Sequence, residues 1–423
     1  MTPVTVTRVG TDGDGIAVQP DGTPLYIPLT LPGETVTARP LSRHGGGWLG
    51  ETVSILDPSP ARIEAPCPHF GACGGCVLQH WDAAGYQAWK TGLLEAALKR
   101  AGYDTSTIEP LATGKPGERR RMDLAARRMP GGVRLGLHRL RSTEVTDLTE
   151  CPVLHPALFG LLSPLRTLLI RLQGLRREAS VVANLLDNGV DLLLRTDADL
   201  PLADRQALTA FARAQDISRI AWARGGDLPE PICTLRPPTT ILSGVAVSPP
   251  PGGFLQATQA GEAAIVAAVL AGLPDKLPAR ARVADLYAGC GTLTFALAQR
   301  VRVAAFEGDA ATAAALRTGA NQAGLAGRVE VTQRDLARQP LMPAELARFA
   351  AVVLDPPHAG AAAQTAQIAA AKVPVVIYVS CNPAALARDA HLLHDSGYRL
   401  LSASPIDQFL WSARLESVCV MVR

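Results

Sequence analysis

Two groups of sulfur-bearing residues could do chemistry in this chain. The first is Cys381. It follows Val375 to Val379, a charge-free run of β-branched and aromatic residues that reads as a buried strand. It precedes Asn382-Pro383, where proline suits the first turn of a helix. A thiol at the carboxyl end of a strand, beside helix amides that would stabilise a thiolate, is placed to act as a nucleophile. Most lone cysteines are packing residues, so the rest of the chain must supply its partners. The second group is Cys67, Cys73 and Cys76, three within ten residues, with Cys151 in Glu150-Cys151-Pro152 as a distant fourth. Gly71, Gly74 and Gly75 free the backbone to wrap a metal centre, and Pro68 and Pro152 flank thiolates as in iron–sulfur loops. Zinc is the competing reading, but its ligands usually come as repeated close pairs. A trio with a distant fourth favours a 4Fe–4S cluster, and a disulfide framework does not suit so long a chain with no secretory character. Cys233, Cys290 and Cys419 read as packing cysteines.

Acids and glycines at strand ends form the other candidate site. Ala281 to Tyr287 reads as a strand, Ala288-Gly289-Cys290-Gly291 as a tight turn, and Thr292 to Val301 as a helix. Two glycines let the backbone approach a ligand closely, but the third glycine of a dinucleotide fingerprint is missing, which disfavours NAD. The next strand, Val303 to Phe306, ends at Glu307, where a carboxylate can accept both ribose hydroxyls of a nucleoside. A ribose without phosphates suits S-adenosylmethionine. Later strand ends supply Asp335 and then Asp355 in Leu354-Asp355-Pro356-Pro357. Any one of these acids is more often a cap or turn residue. Four polar groups at successive strand ends of one sheet shift that balance.

The elements that must position these groups divide the chain in three. Residues 251–423 alternate apolar strands with alanine-rich helices, the pattern of a parallel sheet covered on both faces. The fold class is therefore α/β, with a Rossmann-like catalytic domain. Residues 1–57 read as strands only, with a hairpin signal at Asp21-Gly22, and make a small β-barrel of the oligonucleotide-binding type. Arg8, Arg39, Arg43 and His44 could face nucleic acid there. After the proline-rich Asp57-Pro58-Ser59-Pro60, residues 58–250 form a mixed α+β domain. It holds the cysteine loop, a helix over about Ala83 to Ala101, a hairpin turning at Pro130-Gly131-Gly132, and a helical stretch from Ala157 to Leu172. Between residues 115 and 141 lie nine Lys or Arg against only Glu118 and Asp123. This is either a phosphate-contacting surface or an ordinary solvated hairpin face. With 423 residues, 48% of them hydrophobic, there is ample core for several domains. No charged leader with an apolar run behind it, and no long uncharged apolar stretch, is found, so a cytoplasmic monomer without membrane contact is expected.

Jointly the motifs resemble one family over essentially the whole chain. The cysteine loop with Cys151, Phe254-Leu255-Gln256, Asp285 to Thr292, Asp355-Pro356-Pro357 and Val379-Ser380-Cys381-Asn382-Pro383-Ala384 are similar to those of ribosomal RNA (uracil-5-)-methyltransferases with an N-terminal TRAM barrel and a 4Fe–4S cluster. The resemblance implies that Gln256, Tyr287, Gly289, Gly291, Thr292, Glu307, Asp335 and Asp355 contact S-adenosylmethionine. It implies that Cys67, Cys73, Cys76 and Cys151 hold the cluster, that Cys381 is the nucleophile, and that Glu416 in Arg414-Leu415-Glu416-Ser417 is the base. The expected substrate is a flipped or single-stranded uridine, with 23S ribosomal RNA favoured.

That chemistry needs these residue types. Carbon 5 of uracil is too weak a nucleophile to take a methyl group unaided, and addition of the thiolate at carbon 6 converts it into an enolate carbon. A base must then remove the carbon 5 proton so that the thiol can leave. Four positions depart from the family pattern: His358 stands where arginine is usual, Arg414 where histidine is usual, Thr258 where asparagine is frequent, and Leu410 where proline is frequent. A transfer RNA (uracil-5-)-methyltransferase is an alternative, although its simplest members lack the barrel and the cysteine loop. A non-catalytic iron–sulfur RNA-binding protein is a second. A cytosine-5 methyltransferase fits less well, because Ser380 rather than proline precedes Cys381.

Overall fold

The computed structural model describes residues 3–423. Five strands, Pro3–Val9, Gly15–Val18, Pro24–Ile27, Thr35–His44 and Gly47–Asp57, close into the N-terminal barrel. Their alternation points Val4, Val6, Leu25, Ile27, Val36 and Ala38 inward as its core. On its outside Arg39 pairs with Glu51, Arg43 lies over the Trp48 ring at 4.4 Å, and His44 meets Tyr26 edge-on.

The central domain is built on a six-stranded sheet in the order Glu230–Thr234, Arg219–Arg224, Gly189–Thr196, Glu178–Leu186, Arg121–Met129, Gly132–Gly136. Helices Leu162–Arg171 and Leu202–Ala214 bury a leucine-rich layer against it. The single helix expected from Ala157 to Leu172 is instead two, Pro156–Phe159 and Leu162–Arg171, broken at Gly160. Pro164 explains the break, since its nitrogen cannot donate to the Gly160 carbonyl one turn back.

The hairpin turns where expected, but Arg120 is buried and Arg119, Arg121 and Arg128 are half-buried, so part of its positive charge is withdrawn from solvent. Arg120 is buried and donates to the Gln256 carbonyl and to Glu262 at 2.7 Å. Arg121 donates to the Gly253 carbonyl, and Arg128 to the carbonyls of Leu169, Ile170, Leu172 and Leu175. Arg141 pairs with Asp14 of the barrel. These guanidiniums fasten neighbouring segments together, which narrows any phosphate-contacting surface to the exposed Lys115, Arg127, Arg134 and Arg139.

The catalytic sheet contains β1 (Arg282–Leu286), β2 (Arg302–Glu307), β3 (Val329–Gln333), β4 (Ala351–Leu354), β5 (Val375–Ser380), β6 (Arg399–Asp407) and β7 (Glu416–Val422). Its order is β3-β2-β1-β4-β5-β7-β6; β1 to β5 run parallel and β7 runs antiparallel to both neighbours. One face is covered by α1 (Ala83–Arg100), α5 (Ala362–Ala371) and α6 (Pro383–Asp395), the other by α2 (Gln259–Ala271), α3 (Thr292–Ala298) and α4 (Ala310–Gln322). Helix α1 lies within the stretch the sequence reading gave to the central domain. Its apolar side, Leu93, Leu94 and Leu98, is buried in the catalytic core, and Ala112–Thr113 adds a short parallel edge strand beside β6. The physical unit therefore recruits residues 83–113 across the expected boundary at 250. Among the described residues no helix is long and apolar enough to cross a membrane.

Candidate active site

The candidate groups meet at the carboxyl edge of β1, β2, β4 and β5, around the point where strand order reverses between β1 and β4, the ligand crevice of open α/β sheets. Because β7 is antiparallel and Ser417 pairs with Ser380, Glu416 at its start lies at the same edge as Cys381. Asp355 directly follows β4. The exception is Asp335. It is exposed, and one of its oxygens accepts from the Ala337 and Arg338 amides of its own turn.

The glycine turn is shaped for close approach. Tyr287, Gly289 and Gly291 all have positive φ, at 63°, 56° and 105°. A methyl group on Gly291 would lie 2.5 Å from Phe295 and Leu316, so no side chain fits there, whereas one on Gly289 would meet open space. Glu307 accepts the Gly289 amide on one oxygen and the Asp309 amide on the other, both at 2.8 Å. Each oxygen keeps a lone pair for a ribose hydroxyl. Thr292 opens α3 beside this turn. Beneath it Asp285 is fully buried and accepts from Thr294; burial pushes its carboxyl up to about 7, and its other oxygen has no partner.

A chain of amides and acids runs from this pocket to Glu416. Gln256 reaches Asp355 at 3.4 Å, and Gln408 donates to Gln256 at 2.7 Å and to Glu416 at 2.8 Å. Burial, then the Asp355 charge, raise the Glu416 carboxyl well above the usual carboxylate range, while Gln408 opposes the shift. The second Glu416 oxygen is buried without a partner. Burial likewise pushes Asp355 up to about 6. Cys381 is half-buried, and its thiol is pushed up to about 11 by burial and then by Glu416 and Asp355, against Arg414. The expectation that helix amides hold it as a thiolate is thereby corrected. Those amides, of Ala384 and Ala385, are taken by the Asn382 side chain that caps α6.

The loop before Glu416 is anchored from outside the sheet. Lys90 of α1, wholly buried, pairs with Asp407 at 2.9 Å and donates to the Arg414 carbonyl. Tyr86 also donates to Asp407 and accepts from the Trp411 amide at 2.8 Å. The Val77 and Leu78 amides, straight after Cys76, donate to the Trp411 carbonyl at 2.9 and 3.1 Å. Leu410 packs in a cluster with Val9, Leu31 and Leu78, and Thr258 caps α2 by accepting from Gly261; these account locally for two of the departures.

The cysteine loop and Cys151 do come together. Cys151 lies near enough to perturb the thiols of Cys67, Cys73 and Cys76, and burial pushes Cys76 up to about 12. Gly74 donates to the His138 carbonyl and His69 bonds Thr149 at 3.0 Å, which joins the loop to the segment leading to Cys151. Among the described residues no three of these sulfurs lie within 4.8 Å of one another. Cys290 and Cys419 are buried packing residues and Cys233 is half-buried at the rim of the central core. Sequence reasoning missed Gln408, Lys90 and Asp407. Asp407-Gln408, an acid and an amide directly after the apolar end of β6, was the available signal.

Comparison with known proteins accords with this geometry. A family profile described as tRNA (Uracil-5-)-methyltransferase matches residues 276–423. An uncharacterised RNA methyltransferase of Brucella suis is 41% identical over 421 residues, 99% of this chain and 97% of that protein. The 23S rRNA (uracil(1939)-C(5))-methyltransferase RlmD of Chromohalobacter salexigens is 34% identical over 431 residues, 99% of this chain and 89% of that one. The crystal structure of Pyrococcus abyssi tRNA (uracil-54, C5)-methyltransferase with S-adenosyl-L-homocysteine covers 100% of both chains with a TM-score of 0.74 at 19% identity, a likeness of fold. A doubly wound sheet with acids at its switch point, in a chain with these relatives, defines an S-adenosylmethionine-dependent RNA methyltransferase. The chain belongs to the RNA (uracil-5-)-methyltransferase family.

Proposed function

We propose that this enzyme methylates carbon 5 of a uridine in 23S ribosomal RNA through a covalent adduct with Cys381, with Glu416 as the base. The observation that carries the mechanism is that Cys381, Glu416 and Asp355 converge at one strand edge, close enough for both acids to perturb the thiol. In the proposed sequence the Cys381 thiol gives its proton to solvent and the thiolate adds to carbon 6 of the uracil, the electrons of the carbon 5–carbon 6 double bond moving into the enolate. Carbon 5 then takes the methyl group from S-adenosylmethionine, releasing S-adenosylhomocysteine. The bare oxygen of Glu416 accepts the carbon 5 proton, the carbon 5–carbon 6 double bond re-forms, and the carbon–sulfur bond breaks to return the cysteine sulfur. Gln256, Tyr287, Gly289, Gly291, Thr292, Glu307 and Asp355 would line the methyl-donor pocket, with Glu307 on the ribose. Asp335 would join them by releasing its own turn.

The ribosomal assignment is supported by similarity to RlmD over 99% of this chain; the family description and the fold likeness to an archaeal tRNA enzyme favour tRNA as the second reading. One experiment separates them. With 5-fluorouridine, which cannot lose a proton at carbon 5, wild type should form an SDS-stable complex with a 23S RNA fragment and not with tRNA. Adduct on tRNA alone would move the substrate, and adduct that persists in Cys381→Ala would remove Cys381 from the mechanism.

Cys67, Cys73, Cys76 and Cys151 would hold a 4Fe–4S cluster. A trio of cysteines with a distant fourth, in place of repeated close pairs, supports a multi-iron centre over zinc. Protein purified without air should contain about four irons per chain and lose them on Cys73→Ser. One zinc and no iron would overturn the assignment.

A further inference from the structure

We propose that Gln408 is the positioning residue for the catalytic base: its side-chain amide orients Glu416 and couples it to Gln256 in the methyl-donor pocket, so that proton removal depends on Gln408. This rests on the reading of Glu416 as base.

The orientation of the Gln408 amide is set by its neighbours. The Ala257 amide donates to its oxygen at 2.8 Å, so its nitrogen must face the other way, where it donates to Gln256 at 2.7 Å and Glu416 at 2.8 Å. The opposite flip would set two donors against each other at Ala257. Gln256, Gln408 and Glu416 are only 4%, 3% and 4% exposed, so water does not offer ready substitutes for these bonds. Space for the amide is made by a glycine inside α2. A methyl group on Gly261 would lie 2.6 Å from the Gln408 Cβ and 3.2 Å from its side-chain oxygen.

Two consequences follow for Glu416. With one oxygen accepting from Gln408, the other is the wholly unengaged acceptor for a proton, and it is the one that is buried without a partner. The groups acting on this carboxyl are Asp355 and the Gln408 amide, with Cys381 at the same edge. Burial and Asp355 both favour protonation. The Gln408 N–H opposes them without cancelling them, and so favours the ionised form that can accept a proton. Through its second bond the same amide holds the Gln256 oxygen, which turns the Gln256 nitrogen toward Asp355.

The test uses full-length protein, S-adenosylmethionine and ordinary uridine RNA. In Gln408→Met, which keeps volume but removes the donor, the first methyl transfer should persist while adduct resolution slows. An SDS-stable, methylated RNA–protein species should accumulate at least tenfold over wild type, and steady-state turnover should fall about 100-fold, the lower end of general-base effects. Gly261→Ala, which presses on the same side chain, should give a milder form of the same trapping and serves if Gln408→Met folds poorly. Glu416→Gln is the reference. If it traps no adduct, the base assignment itself fails. If Glu416→Gln traps adduct and both other variants resolve it at the wild-type rate, Gln408 has no such role. Equal slowing of adduct formation and resolution would also overturn the proposal, because a general loss of structure would produce it.

Discussion

Cys381→Ala is expected to lower methyl transfer by on the order of 10⁴-fold or more while RNA and S-adenosylmethionine still bind. The size follows from the chemistry, because without addition at carbon 6 nothing else at the site raises the nucleophilicity of carbon 5. The state of the thiol makes the expectation more specific. Held at about 11 by burial and two neighbouring acids, it is protonated at neutral pH, so the thiolate must form during the reaction. The step should therefore quicken as pH rises from 7 toward 10, until another group or unfolding intervenes. Methyl transfer from labelled S-adenosylmethionine is the measurement, and more than about 1% residual activity in the alanine variant would rule out covalent catalysis through this residue.

The second large effect is on stability. Lys90 and Asp407 are both wholly buried and pair at 2.9 Å, with Tyr86 on the other carboxylate oxygen. Asp407→Ala leaves the ammonium uncompensated in the core, and burial already pulls the Lys90 ammonium down. A cost of about 3–5 kcal/mol is expected on unfolding by urea, because a stranded buried charge is penalised far more than a missing pair. The double variant Lys90→Met with Asp407→Leu should recover most of it, since well-packed apolar residues can replace a buried pair. A loss below about 1 kcal/mol in Asp407→Ala would show that water reaches Lys90.

Much of this architecture is legible in the sequence for a physical reason. Strands such as Val375 to Val379 and Ala351 to Leu354 are buried on both faces, so they read as uncharged runs, and the first one or two residues after each mark the ligand edge. That rule finds Glu307, Asp355 and Cys381. It does not show which groups are already engaged. The arginines from 119 to 141 look like a surface because charge counts carry no information about the carbonyls they face, and Arg128 alone meets four. Nor does an amphipathic helix name its partner. The leucines of α1 announce a buried face, but only the fold shows that β6 and α6 receive it. Gln408 escapes notice because its role lies in three bonds, two of them to residues about 150 positions away, that no local pattern records.

The backbone bonds from Val77 and Leu78 to Trp411 carry a further meaning for how the site is supported. The methyl-donor half is framed by β1, β2 and β4 and the segment around Gln256. The half that holds Glu416, the proposed base, is supported by Lys90 and Tyr86 of α1, by the pairing of β7 with β5, and by the amides at the exit of the thiol-rich loop. Binding the donor and finishing the reaction thus have separate scaffolds. If Cys67, Cys73, Cys76 and Cys151 hold a cluster as proposed, its loss should retain the first scaffold and slacken the second, giving a protein able to grip the donor yet slow to let its product go.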